Sequence, residues 1–191
     1  MEPKVVNKCL IEAKSAKTFW EYDKEYSHYK QEGSGNNWAF GHNIHGPRNL
    51  EMISNAYSKL LENLDSAPGC FILQSLAGGT GSGLGSYLLE EFTDLYEDVS
   101  FLNIGVLPHQ TGEVILQSYN TVLSMASLYR NSQGILLIEN DKIQEICEKL
   151  LMKKSNSIND MNEVISHQLA SVLLPCIDAR RKKKIFSTCE N

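Results

Sequence analysis

Residues 77–83 of this 191-residue chain read Ala-Gly-Gly-Thr-Gly-Ser-Gly. Four of these are glycines, at positions 78, 79, 81 and 83. Glycine takes positive φ readily and lets a backbone come close to a ligand. A helix that follows such a turn points unbonded N–H groups and the positive end of its dipole at the same place. Thr80 and Ser82 are read as additional hydroxyl donors. The chemistry these residues suit is the binding of an anion such as a di- or triphosphate. Two familiar phosphate motifs are excluded, because no Gly-Lys-[Ser/Thr] follows and no glycines fall at i, i+2 and i+5. A competing reading is a glycine-rich turn that only lets strand and helix pack closely.

A phosphate loop needs a strand before it and a helix after it. Cys70–Leu76 is a short continuous apolar run, as suits a strand covered on both faces of a parallel sheet. After the loop, Leu84, Leu88, Phe92 and Leu95 recur at helical spacing. Residues 99–106 read as a second buried strand. Ile115, Tyr119, Val122, Ala126 and Tyr129 mark a further helix, and Gly134–Ile138 reads as a third strand. Two more helical stripes follow, through Ile143 to Leu151 and Met161 to Leu173. Upstream, Leu50 to Leu64 form an amphipathic helix over about 48–64, residues 3–10 begin as helix, 18–30 are ambiguous, and 32–37 are a loop by composition. The alternation of helix and strand predicts an α/β fold with a doubly wound, mostly parallel sheet, incomplete at both ends. Residues 1–175 read as one domain, and 176–191 as a divergent basic tail.

Five of the 18 basic residues lie at 180–184, which leaves the rest of the chain more acidic than its net charge of −5. An acidic body argues against nucleic acid as a partner, since phosphate neutralisation drives that affinity. No apolar run approaches the ~20 residues of a membrane span. Five scattered cysteines without a C-x-x-C pair read as reduced thiols in a cytosolic protein rather than a disulfide or zinc framework. His42 and His45, the one close histidine pair, read as loop residues rather than metal ligands.

Several motifs occur together in one order: Gly-Gly-Thr-Gly-Ser-Gly after a strand, Gly33-Ser-Gly-Asn-Asn-Trp-Ala-Phe-Gly upstream, and Glu2-Pro3 before that. Ser118-Tyr-Asn, Glu139-Asn-Asp and Asp160-Met-Asn follow downstream. In this series the chain resembles the tubulins. Ala77, Gly46-Pro-Arg and Thr111-Gly-Glu-Val-Ile are similar to one particular branch of that family. The resemblance implies a tubulin-type nucleotide-binding domain that takes GTP or GDP with Mg²⁺. It places Gly35, Asn36, Gly78, Gly79, Thr80, Gly81, Ser82 and Gly83 on the phosphates and Glu113 and Gln117 at the ribose. It places Asn140 and Asn162 on the guanine and Glu2 on the metal. An asparagine amide offers both donor and acceptor to a purine edge, and Mg²⁺ takes few carboxylates beside water and phosphate oxygens. Gln117 stands where most tubulins have a glutamate, and Ile158 where many have an aromatic. The resemblance further implies other tubulins as partners and no membrane. It implies a cytoplasmic and cytoskeletal location at centrioles, centrosome and basal bodies, with the nucleus as a further site. Hydrolysis in that family is completed by a neighbouring subunit, so no catalytic residue is assigned. Two alternatives stay open: a chain that binds GTP weakly or not at all, and a nucleotide-dependent enzyme on the same sheet.

Overall fold

The structure is a computed structural model that describes residues 3–15, 22–66, 69–112, 114–150, 152 and 157–174. Glu2, Glu113 and the basic run at 180–184 lie outside the described residues. The chain divides into two compact units between Glu139 and Asn140.

The first unit begins with helix α1 (Pro3–Ser15), where Pro3 takes the first-turn position that tolerates its missing N–H. A single 3₁₀ turn covers Lys24–Tyr26. Helix α2 (Trp38–Phe40) then runs through a wide π-turn (Gly41–His45) into α3 (Gly46–Glu62). Helix therefore begins about ten residues before the stripe at 48–64 suggests, and the His42 and His45 pair is helical rather than in a loop. The cause is local. The Asn37 side chain accepts from the N–H groups of Ala39 and Phe40, at 2.9 and 3.4 Å, and so caps a helix start at Trp38.

Strand β1 (Gly69–Ser75) leads through the glycine loop into a second π-turn (Thr80–Leu84) and helix α4 (Gly85–Leu95). Strand β2 (Ser100–Leu107), helix α5 (Gln117–Asn131) and strand β3 (Gly134–Glu139) follow. The three strands are parallel in the order β1-β2-β3, with Phe71 opposite Leu102 and Leu102 opposite Gly134. This is the parallel α/β arrangement that the alternation of helix and strand predicts. The hydrophobic core lies on one face of the sheet, around Leu76, Leu89, Phe92, Val99, Phe101 and Leu128. Leu50, Ile53 and Tyr57 of α3 close over it. The Tyr57 ring stacks on Phe92 at 5.0 Å, and burial with the Cys70 thiol beside it holds the Tyr57 hydroxyl well above its usual pKa. On the opposite face Phe71 and Leu73 stay exposed.

Helix α5 turns out differently from its apolar stripe. Tyr119 and Tyr129 are 71% and 82% exposed, while Asn120, Ser124, Ser127 and Leu128 are buried. Apolar and polar stripes on α5 share the same period, so periodicity identifies the helix and leaves its phase open. The phase follows hydrogen bonding: Ser127 Oγ donates to Glu90 Oε1 of α4 at 2.7 Å, and Ser124 Oγ donates to the Asn120 carbonyl at 2.7 Å.

The second unit holds α6 (Asn140–Lys149) and α7 (Ile158–Leu173), which pack against each other. Ser157 caps α7 in a reciprocal box. Its Oγ accepts the Asp160 N–H at 3.2 Å, and Asp160 Oδ2 accepts the Ser157 N–H at 3.0 Å. Among the described residues no helix is long and apolar enough to cross a membrane.

Gln74 on β1 is 6% exposed, and neither polar atom of its amide has a partner among the described residues. Leaving such a group unpaired costs stability, and an apolar side chain of similar length removes the cost. Gln74→Met should therefore raise the unfolding free energy by about 1 kcal/mol. A urea titration followed by circular dichroism measures it, and an unchanged or lower midpoint contradicts it.

Candidate functional site

The ladder of β1 ends one residue past the strand, where Leu76 N–H donates to the Val106 carbonyl at 3.0 Å. Ala77 to Gly79 then turn the chain into the π-turn that opens α4. The N–H groups of Gly78, Gly79, Thr80, Gly81 and Ser82 have no hydrogen-bond partner among the described residues; Gly83 is the first to donate, to the Gly79 carbonyl at 2.9 Å. Five successive unpaired amides at the positive end of a helix, of which those of Gly79 and Ser82 belong to buried residues, are a donor set that suits an anion without any charged side chain.

The glycines serve it in another way than positive φ. None of the four loop glycines has positive φ; Gly35 alone among the described glycines does, at 57°. Instead they admit a second stretch of backbone. A Cβ on Gly83 would run into the Trp38 carbonyl, and one on Gly79 would lie 2.6 Å from the Asn37 nitrogen. Gly41 faces the Gly79 carbonyl with the same closeness. Close packing is thus a real role of Gly79 and Gly83, and Gly81 likewise lies against the backbone of Ser75. Gly78 has room, its nearest neighbour in the Cβ direction being Asn36 Oδ1 at 3.7 Å.

The segment admitted is the turn at 33–37. Gly35 and Asn36 both take the left-handed conformation, with φ of 57° and 53°, a state open to glycine and tolerated by asparagine. The turn closes where Asn37 N–H donates to the Ser34 carbonyl at 3.0 Å. Ser34 Oγ lies 3.0 Å from Thr80 Oγ1, so these two hydroxyls pair across the two loops. The Ser82 hydroxyl, expected to face the ligand, is fully buried and donates to the Gly78 carbonyl. Its backbone N–H has no partner among the described residues.

Asn120 ends the Ser118-Tyr-Asn motif, and the sequence assigns it no role at the site. Its side chain is 2% exposed. Nδ2 donates to the Asn36 carbonyl and to the Ala77 carbonyl, each at 2.8 Å, and Oδ1 accepts the Trp38 N–H at 3.0 Å. One amide thus joins α5, the 33–38 turn and the glycine loop. The available signal was a polar stripe, Asn120, Ser124 and Ser127, at helical spacing. The sequence suggests a loop position for His42, yet its Nε2 meets Glu90 Oε2 at 2.9 Å while its ring stacks on Trp38 at 4.4 Å. That contact ties the π-turn to α4 just behind the loop.

The other expected residues fall as follows. Gln117 opens α5 one turn before Asn120, and its Nε2 donates to the His109 carbonyl at 2.9 Å. Asn140 is the first residue of α6, and Asn162 lies in the first turns of α7, both within the second unit. Ile158, at the α7 start, is exposed. Glu2 and Glu113 lie outside the described residues. Among the described residues no group of three His, Cys, Asp or Glu side chains is placed to hold a metal ion, and the donor set described at the loop is that of an anion site.

Gly83→Ala pushes a methyl into backbone that cannot swing aside and should cost about 1–3 kcal/mol. Gly78→Ala, with open space, should stay within about 1 kcal/mol of the unaltered chain. Equal urea midpoints for the two variants would remove the packing role assigned to Gly83.

A family model described as the GTPase domain of the tubulin/FtsZ family matches residues 1–148. The chain is 46% identical over 175 residues to the tubulin delta chain of Canis lupus familiaris, covering 92% of this chain and 38% of that one. It is 45% identical over 179 residues to the tubulin delta chain of Homo sapiens, covering 94% and 39%. With the tubulin beta-3 chain of Zea mays it shares 32% identity over 145 residues, covering 75% and 33%. The chain therefore spans well under half the length of these curated relatives. The parallel α/β unit, the glycine loop with its open amides and a family match over most of the chain agree, and the chain belongs to the tubulin/FtsZ family.

Proposed function

We propose that this chain binds GTP or GDP, with the phosphates seated on the N-terminus of α4. The observation that carries this reading is the run of five open amides from Gly78 to Ser82. Backbone donors create local positive potential, so the site works on a chain whose net charge is −5. Asn36 lies beside Gly78, its amide oxygen 3.7 Å from where a Gly78 Cβ would stand. In this reading Asn140 and Asn162 meet the guanine edge, Gln117 and Glu113 stand at the ribose, and Glu2 holds Mg²⁺. The metal, when bound, neutralises charge on the phosphate oxygens.

For the protein as a whole the reading is a cytoskeletal protein of the delta-tubulin kind. It acts with other tubulins in assembling microtubules of centrioles and basal bodies and in forming cilia. Its places are the cytoplasm, the centrosome and the nucleus. The support is membership of the family and similarity to chains named tubulin delta.

Thermal unfolding of the purified 191-residue chain tests the nucleotide reading. GTP at a hundred times its Kd should stabilise the chain by about 2.7 kcal/mol, visible as a concentration-dependent rise in Tm. ATP at the same concentration should leave Tm unchanged. A Tm indifferent to GTP contradicts the proposal, and an equal response to ATP contradicts its guanine specificity. The isolated chain should release no phosphate from GTP beyond the uncatalysed rate. Steady release, followed with a coupled phosphate assay, would favour an enzyme acting alone.

A further inference from the structure

We infer that Asn120 is a positioning residue for the phosphate site: it locks the Ala77–Gly78 peptide so that the Gly78 N–H faces the ligand. The inference rests on the nucleotide reading above and assigns a role to a residue outside the expected binding set.

A trans peptide is planar, so its C=O and N–H point in opposite directions. Where the Ala77 carbonyl is held toward α5, the Gly78 N–H faces away from α5. Asn120 Nδ2 holds that carbonyl at 2.8 Å. Thr121 Oγ1 of the same helix lies 3.3 Å from the preceding carbonyl, of Leu76, while its nearer partner is the Gln117 carbonyl at 2.7 Å. Without the Asn120 contact the Ala77–Gly78 peptide is free to turn over, because glycine accepts the backbone angles of either orientation. A flipped peptide presents an oxygen where the phosphate sits and repels it.

The second Nδ2 hydrogen goes to the Asn36 carbonyl at 2.8 Å, and Asn36 is held in the left-handed conformation. That conformation carries its side chain to within 3.7 Å of the Gly78 Cβ direction. One amide therefore fixes both the main-chain donor and the side chain placed over it. Oδ1 is also committed, to the Trp38 N–H, so the amide has one orientation that satisfies all three partners. The helix holds Asn120 in turn: its N–H donates to the Leu116 carbonyl at 3.0 Å, and its carbonyl accepts the Ser124 hydroxyl. At 2% exposure, water does not substitute for the bonds it makes.

Asn120→Asp keeps the shape and the acceptor while replacing both donors with an oxygen that faces two carbonyls. Burial and those carbonyls raise the pKa of the new carboxyl, and its protonation at lower pH returns one O–H donor. A fluorescent GTP analogue measures affinity for variant and unaltered chain at about pH 8 and about pH 6, beside thermal unfolding of both. The expected result at the higher pH is an affinity about ten- to a hundredfold below that of the unaltered chain, the worth of losing an oriented donor to a charged ligand. At the lower pH the ratio between the two should narrow. Equal affinity at both values overturns the role of Asn120. A deficit that ignores pH and tracks a lower Tm makes the residue structural only, and also overturns it. Failure of the unaltered chain to bind the analogue at either pH removes the nucleotide reading itself, and the positioning role with it.

Discussion

Two stretches of backbone cross without side chains between them, and the site is built on that crossing. The helical run that starts at Trp38 passes the opening of α4 at Gly41, Gly79 and Gly83, where a single methyl group would collide with main chain. Both helices widen to a π-turn at the crossing, over Gly41–His45 and Thr80–Leu84. Such turns are short and uncommon, and they concentrate at functional sites. Contact this close brings two loops from distant parts of the sequence within hydrogen-bonding reach. The Ser34 and Thr80 hydroxyls can then pair, and one asparagine can reach carbonyls on both sides.

Two helix N-termini meet there, and they are treated in opposite ways. At α2 the first N–H groups are all taken: Trp38 by Asn120, and Ala39 and Phe40 by Asn37. At the loop and π-turn that open α4, the groups from Gly78 to Ser82 are left unpaired among the described residues. A helix end with unpaired donors is destabilising unless water, a cap or a ligand meets them. Serine or threonine is the usual remedy, and this loop carries both. Yet Thr80 turns to Ser34, and Ser82 turns back to the Gly78 carbonyl. The hydroxyls that were free to cap α4 are held elsewhere, so its donors stay available to an anion. Specific hydrogen bonds, rather than a lack of polar residues, keep the site open.

The parts of this arrangement legible in the sequence are those that depend on neighbours along the chain. Strands β1 to β3 follow from short apolar runs, and α4, α6 and α7 from their stripes. The loop between β1 and α4 was placed correctly by its composition. Of the two uses its glycines suggest, close approach occurs and positive φ does not: positive φ is a property of one residue, and close approach is a property of two segments. The apolar stripe of α5 identifies the helix and not its buried face, for a related reason. Tyr119, Val122 and Tyr129 outweigh Asn120, Ser124 and Ser127 on any scale of hydrophobicity, so the stripe points the wrong way. What reverses it is the supply of partners from elsewhere: Glu90 on α4, and the carbonyls of Asn36 and Ala77. Those partners exist only once the fold does. His42 is a similar case, since Glu90 and Trp38 define its surroundings and neither is visible from the spacing of His42 and His45.

A polar seam under α5 also has a cost that an apolar one would avoid. Buried amides and hydroxyls add little net stability when paired and subtract from it when they are not. An apolar seam would bury the same area, yet its contacts have no direction and would leave the Ala77–Gly78 peptide free to adopt either orientation. Hydrogen bonds fix orientation as well as distance. The seam is polar where α5 faces backbone that must be held in one orientation, at Asn120 and Thr121. About two turns further along it gives way to Leu128, where α5 joins the hydrophobic core. Along a single helix the chemistry changes from directional to non-directional at the point where the neighbour changes from a binding loop to a packed interior.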